Sequence, residues 1–392
     1  MASLSFVDVF AGAGGFSLGL HEAGMRGLFA VEKDPMAFST LYHNLARKRG
    51  AFDWPAWLPA APMAIEDLLR GHGHELGRMR GKVDVMVGGP PCQGFSVAGR
   101  RQEGDERNQL FREYMKLVRI LGPGFIVLEN VPGFAVPFPA GGGGRSYLQL
   151  LATELAEAGY EEPAARMVDF SRLGVPQSRK RLVVVSTPKG GDPEKVQEAI
   201  EKRQRRGRVG AAAAISDLLR SHGEVPSPDS RGFAAGVYGR VESGYQAAMR
   251  KVPGPALPDS HRFAKHGREV ARRLQRVLGS HATPWAAWKA AARGESRKST
   301  MTPLVPSLPA PTLTTLPDDH IHYSEPRILT VREYARLQSF PDWFEFLGKY
   351  TTGGQLRRHE VPRYSQVANA VPPVVSREIA LAVEHASVGG AG

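Results

Sequence analysis

The chain has 392 residues, 42% of them hydrophobic, and a single cysteine; that is apolar content for one large domain or two ordinary ones, and it excludes an intramolecular disulfide or a zinc site built on several thiolates. No apolar run approaches the roughly 20 residues of a bilayer span, and the N-terminus lacks a basic region followed by a long apolar core, so a cytoplasmic protein with no membrane segment is expected. Of the net charge of +12, residues 189–298 carry +11, with 22 Lys and Arg against 11 Asp and Glu; a solvated surface explains any one cluster, such as 202–208, but a whole basic segment beside a neutral one points to an anionic partner.

Along the chain, β-branched runs at 5–10, 28–32, 83–87, 125–129, 166–170 and 182–186 read as strands. Helices are expected to begin near Gly15, Pro35, Asn108 and Ser146, the third carrying Leu110, Phe111, Tyr114, Leu117 and Val118 at helical spacing. Alternating βα units predict the α/β class with a mostly parallel sheet, whose ligands bind outside the carboxyl ends of the strands. After Ser186 the alternation stops and the chain becomes rich in Arg, Gly, Pro, Ser and Ala, as a second domain would. Order returns near Arg327, with a helix at 330–338, a turn at Phe340 and Pro341, and a last helix at 373–385 that should return beside the first strand.

The first strand ends in Ala11-Gly12-Ala13-Gly14-Gly15-Phe16-Ser17, a glycine turn opening a helix, where backbone can approach a nucleotide closely. Ser17 stands where a dinucleotide loop has its third glycine, so the turn alone is weak support; a tight strand-to-helix turn is the plain alternative. Glu32, 20 residues after Gly12, ends the next strand, where a carboxylate can accept from both ribose hydroxyls. Asp67, further on, is a candidate for an adenine amino group.

The only thiol, Cys92, follows Gly88-Gly89-Pro90-Pro91 at a stiff corner after a strand. A lone cysteine is more often a small buried hydrophobe, but then it lies within an apolar run, which this one does not. Glu129-Asn130-Val131-Pro132-Gly133 ends the next strand, and Gln177-Ser178-Arg179-Lys180-Arg181 precedes the last. Taken singly, Glu129 is a solvated or paired carboxylate. Together a thiolate, a carboxyl and guanidinium donors suit addition of a nucleophile to an electron-poor ring.

In this order, Phe6-Val7-Asp8-Val9-Phe10-Ala11-Gly12-Ala13-Gly14-Gly15, Gly89-Pro90-Pro91-Cys92-Gln93-Gly94-Phe95-Ser96, Glu129-Asn130-Val131, Gln177-Ser178-Arg179-Lys180-Arg181 and Gln366-Val367-Ala368-Asn369-Ala370-Val371-Pro372 resemble the DNA (cytosine-5)-methyltransferase family. The likeness covers roughly 5–187 and 327–380. It implies a Rossmann-like S-adenosylmethionine-dependent methyltransferase fold with a smaller inserted target-recognition domain: residues 1–187 and 326–392 catalytic, residues 188–325 DNA-binding.

By resemblance, Cys92 adds to carbon 6 of a flipped cytosine in double-stranded DNA, Glu129 serves ring nitrogen 3, and Arg181 with Arg179 polarises the carbonyl at position 2. Phe10, Ala11, Gly12, Gly14, Gly15, Phe16, Glu32, Lys33, Asp67 and Pro90, with Asn369 and Ala370, would surround S-adenosylmethionine, leaving S-adenosylhomocysteine as product. Gln93, Ser96, Arg100, Arg101, Thr312 and Thr314 would contact DNA. A monomer in the bacterial style is implied, acting alone or beside a restriction endonuclease.

Asp318, Asp319, His320 and His322 lack a recognised ligand spacing, so no metal is expected. Trp54, Trp57, Trp285 and Trp288 are read as core or interface rather than base-stacking platforms. Two other functions compete. A tRNA cytosine-5 methyltransferase of the related branch resembles a Cys-Phe-Thr signature that this chain cannot contain, and an inactive DNA-binding homologue should lack Cys92, Glu129 or the glycine loop.

Overall fold

Six apolar runs pair into one sheet because each is too hydrophobic to remain in water and too short to bury itself alone. The computed structural model describes residues 3–90, 107–137, 144–204, 207–251, 256–279, 301–353, 356 and 359–388. In chain order the main elements are β1 (Ser5–Val9), α1 (Gly15–Glu22), β2 (Arg26–Val31), α2 (Pro35–Leu41), α3 (Ile65–Arg78), β3 (Val85–Gly88), α4 (Arg107–Leu121), β4 (Phe125–Asn130), α5 (Tyr147–Glu157) and β5 (Ala164–Asp169). The short β6 (Gln177–Ser178), then β7 (Lys180–Ser186), α6 (Pro193–Lys202), α7 (Ala211–Ile215), β8 (Glu224–Pro226), β9 (Ala234–Gly236), α8 (Gly244–Arg250) and α9 (Arg268–Gly279) follow. The chain closes with β10 (Thr302–Pro303), β11 (Ala310–Pro311), β12 (His320–Ile321), α10 (Val331–Leu337), α11 (Arg363–Asn369) and α12 (Pro373–Val388). No helix of the described residues is long and apolar enough to cross a membrane.

The chain divides into two compact units: Met1–Leu173 with Lys180–Gln204 and Val371–Gly392, and Gly174–Arg179 with Arg205–Ala370. These divisions differ from the boundaries at 187 and 325 read from the sequence. Packing explains the difference: α6 lies against β5, β7 and α12, while α10 packs on α7 and α11.

In the first unit the sheet order is β2-β1-β3-β4-β7-β5. β1 is parallel to β2 and β3, and β3 to β4, whereas β7 runs antiparallel to both β4 and β5. The sheet is therefore mostly parallel with one reversed strand. β1 is buried along its whole length, as strands covered on both faces must be. Ser146 and Gln149 form a capping box at the start of α5, and Asp34 caps α2 by accepting from Ala37 N–H at 2.8 Å.

The last helix does return to this unit, but it packs on α1 and α6 rather than principally on β1. Contact is closest at Gly19 of α1. A Cβ there would stand 2.3 Å from the Pro373 carbonyl oxygen and 2.4 Å from Ser376 Cβ.

The second unit has little sheet, only the two-stranded pieces β8–β9, β10–β12 and β6–β11 among its described residues. Its interior is held instead by buried ion pairs. Arg336 reaches Asp342 at 2.5 and 2.6 Å and Asp217 at 3.0 and 3.1 Å. Arg327 forks onto Glu333 at 2.7 and 2.8 Å, and Glu333 also completes the capping box with Thr330 at the start of α10. Such fully buried arginines persist only where every donor finds an acceptor. His261, His320 and His322 are buried beside them, and burial pushes them down to about 4, about 4 and about 3.

Two outcomes follow from this packing. Gly19→Ala should lower stability by about 1–3 kcal/mol through overpacking against backbone; an unchanged urea midpoint would show that α1 and α12 are not in close contact. For the second unit, the unfolded histidines titrate near 6.5, so between that pH and about 4 the unfolded chain binds protons that the folded one does not. Stability should fall as pH falls through that window. Glu333, which burial raises and Arg327 pulls further down to about 2, adds to the loss at lower pH, and Asp217, raised by burial, opposes it. Amide-exchange protection of α10, corrected for intrinsic rates, should decline between pH 7 and 5; a rise would refute the neutral histidines.

Candidate active site

The glycine loop opens where β1 ends. Phe10 adopts φ +61°, a left-handed conformation that costs energy in any residue with a Cβ, and Gly12 and Gly14 follow at +56° and +87°. A Cβ on Gly12 would have nothing within 4 Å, so the loop faces open space among the described residues. The Phe10 ring stacks on Tyr114 with centroids 6.4 Å apart. Ala11, Gly15 and Phe16 are buried, the first donating its N–H to the Val31 carbonyl at 3.0 Å.

Glu32 stands just past β2 and accepts from Gly12 N–H at 2.9 Å and Asp34 N–H at 2.7 Å. Burial raises its carboxyl above the usual carboxylate range, and those two amides offset only part of the rise. Each oxygen keeps lone-pair capacity, so a fixed acceptor sits beside an open glycine turn. That combination fits the diol of a nucleoside ribose. Lys33 is exposed next to it. Asp67 is not brought to the loop by its described contacts. It lies in the first turn of α3, half exposed, and pairs with Arg70; the segment beside Glu32 is Met63, whose N–H donates to the Glu32 carbonyl at 2.8 Å.

Asp8, which the sequence reading passed over, sits beneath the loop. Its carboxylate accepts from Ser17 Oγ at 2.5 Å and Ser17 N–H at 3.2 Å, in the first turn of α1. Burial pushes it up to about 7, against those two hydrogen bonds. The available signal was a carboxylate within an otherwise apolar strand, a placement that needs a partner.

At the carboxyl edge of the sheet, β4 delivers Glu129 and Asn130. Because β7 is antiparallel to β4, with Asn130 opposite Leu182, the start of β7 lies at that same edge. Arg181 Nε stands 3.3 Å from Glu129 Oε1, both side chains nearly buried. Asn130 Nδ2 donates to the Pro90 carbonyl at 3.3 Å. A Cβ on Gly89 would lie 3.6 Å from the Glu129 carbonyl and 4.0 Å from Oε2, so the chain leaving β3 runs beside the carboxylate. Cys92, Gln93, Ser96, Arg100 and Arg101 lie outside the described residues. Cys92 is two residues beyond Pro90 in sequence.

In the second unit, Arg179 is buried and donates from Nη1 to the Ala368 carbonyl at 3.1 Å. Asn369 ends α11 and Ala370 caps it. A clasp absent from the sequence reading holds that helix end: Gln177 Nε2 donates to Gln338 Oε1 at 2.8 Å, and Gln338 Nε2 to the carbonyls of Val367 at 2.9 Å and Ala370 at 3.1 Å. Thr312 Oγ1 donates to the Ser178 carbonyl at 2.8 Å and Thr314 Oγ1 to Asp319 Oδ2 at 2.6 Å. Both hydroxyls keep acceptor capacity.

Residues 4–385 match a family model described as C-5 cytosine-specific DNA methylase. The chain is similar to the type II methyltransferase M.XorII of Xanthomonas oryzae pv. oryzae, at 30% identity over 95% of this chain and 82% of the relative. It is also similar to the type II methyltransferase M.DdeI of Desulfomicrobium norvegicum, at 29% identity over 96% and 88%. Among solved structures, a prophage-encoded DNA modification methyltransferase of E. coli aligns over 98% of this chain and 100% of its own, with TM-score 0.67 and 24% identity. The S. pombe Dnmt2 methyltransferase aligns over 97% and 99%, with TM-score 0.56 and 16% identity. These two share the fold.

Proposed function

The chain belongs to the C-5 cytosine-specific DNA methylase family, and on that premise we propose that it methylates a cytosine swung out of double-stranded DNA, through a covalent bond from Cys92 to carbon 6. The enzyme is a DNA (cytosine-5) methyltransferase, and its family and fold imply S-adenosylmethionine. The observation that carries the finer reading is the buried pair of Glu129 and Arg181, beside a chain held at Pro90 by Asn130, two residues before the only thiol.

Carbon 5 of cytosine is a poor nucleophile. Addition of the Cys92 thiolate to carbon 6 breaks the 5,6 double bond and moves its electron pair toward carbon 5. Negative charge that would otherwise collect on nitrogen 3 and oxygen 2 is met by a hydrogen bond or proton at Glu129 and by the guanidinium of Arg181; a second donor at Arg179 rests on the motif resemblance alone. S-adenosylmethionine, when bound, would supply an electrophilic methyl group on a sulfonium, the carbon 5 electron pair forming the new carbon–carbon bond while the sulfur–methyl bond breaks and S-adenosylhomocysteine leaves as the neutral thioether. A base then takes the carbon 5 proton, the 5,6 double bond reforms and the Cys92 thiolate leaves. A stacked, paired cytosine cannot be reached this way, so the base leaves the helix.

Glu32 would hold the ribose and the turn at Phe10, Gly12 and Gly14 the rest of the nucleoside, with Ala11, Gly15, Phe16 and Pro90 shaping the cradle and Lys33 at its rim. Asp67 would have to leave Arg70 to join them. Asn369 and Ala370, and the DNA contacts at Gln93, Ser96, Arg100, Arg101, Thr312 and Thr314, rest on the motif resemblance. The basic segment 188–325 would recognise the target sequence. The relatives' type II names support work beside a restriction endonuclease; a solitary modification role is the alternative, and the reading takes the protein as a cytoplasmic monomer.

Bisulfite sequencing of DNA from cells expressing the protein should show 5-methylcytosine in one sequence context, and Cys92→Ser should abolish it while duplex binding persists. Methylation at the normal rate by that variant would remove Cys92 from the chemistry. Glu32→Ala should raise the S-adenosylmethionine dissociation constant by about tenfold, since charged hydrogen bonds are lost; an unchanged calorimetric titration would exclude Glu32 from the cradle.

A further inference from the structure

We propose that one face of α9, carrying Arg268, Arg272 and Arg276, lies along the phosphates of one DNA strand. This rests on the reading of DNA as substrate and assigns a specific backbone-contacting surface within the basic segment.

Among the described residues the helix rests on a small apolar anchor. Leu274 and Val277 are buried against Ile321, with Leu278 and Met301 packed beside them. At about 100° per residue, those anchors point to one side, and Arg268, Arg272 and Arg276, spaced four apart, project from the opposite side. All three are exposed. Other arginines of the charged segment are committed within the protein: Arg203 to the Leu381 carbonyl, Arg220 to Glu224, Arg250 to the Gly239 carbonyl and Arg262 against the Tyr350 ring. Arg268 and Arg272, by contrast, make no ion pair or hydrogen bond with any described residue.

A solvated helix face normally alternates charge at i and i+4, which stabilises it. Here Arg268–Arg272 and Arg272–Arg276 are like-charge pairs at that spacing, unfavourable for the isolated helix, and Glu269 is the one acidic residue of α9. An external polyanion reverses the sign of that term. From Arg268 to Arg276 the stripe rises eight residue steps, about 12 Å along the helix axis, a length over which one DNA strand presents about three or four phosphates. Arginine forks match phosphate oxygens in pairs, and the helix carries no aromatic side chain on which a base could stack. Those features favour contact with the strand's phosphates over reading of its bases.

The test uses the full-length protein and a mixed-sequence duplex of about 30 base pairs, with binding followed by fluorescence anisotropy between about 50 and 200 mM salt. Arg268→Gln with Arg272→Gln should reduce the slope of log K against log salt by about 2, at about 0.9 per phosphate lost. Arg272→Gln alone should remove about half of that, which keeps the test available if the double variant folds poorly, and Arg272→Lys should keep the slope. A steep wild-type slope that the double variant leaves unchanged would overturn the stripe and leave the DNA reading standing. A flat wild-type slope would overturn both. An unchanged slope with an altered bisulfite sequence context would make α9 a base reader, contrary to the proposal.

Discussion

The reversal of a single strand brings together the buried ion pair of the first unit. In a parallel sheet the residues that end each strand gather at one edge, while those that begin a strand gather at the other. Arg181 begins its strand, and it meets Glu129 only because β7 runs against β4. A carboxylate as buried as Glu129 requires a cation or a dense set of donors nearby. The guanidinium provides this and is itself held by the pairing of β7 on both sides.

The glycine loop answers a different constraint. Three left-handed residues in five, one of them Phe10, give a turn tight enough to bring backbone amides beside Glu32. The strain is offset locally by the hydrogen bonds of Glu32 and by the Asp8–Ser17 contact at the start of α1. Loop, strand end and helix are therefore tied together by side-chain hydrogen bonds. Such ties suit the proposed cofactor cradle, since an acceptor already in place loses little freedom when a ligand arrives.

The second unit is built on polar order. With only short two-stranded pieces, it fixes α10 by burying Arg327, Arg332 and Arg336 among carboxylates and carbonyls. Arginine in this unit thus has two opposite uses. On α10 it is an internal strut whose donors are all directed inward, whereas on α9 it stands outward on a slender apolar anchor. Net charge alone cannot distinguish the two.

The sequence by itself determined the six strands of the main sheet, the helices α1, α2, α4, α5, α10 and α12, the glycine turn and the polar residues at the strand ends, because periodicity, turn residues and caps act over a few neighbouring positions. Thr330 with Glu333, and Ser146 with Gln149, are legible for that reason. The direction of β7, the burial of Asp8, the seat of the last helix on Gly19 and the Gln177–Gln338 clasp were decided by the tertiary structure alone. Each depends on which groups the completed fold brings together and on how much water it removes from around them. Neither a partner nor a local dielectric is written in the residues adjacent in sequence, so a carboxylate's role becomes definite only when its surroundings exist.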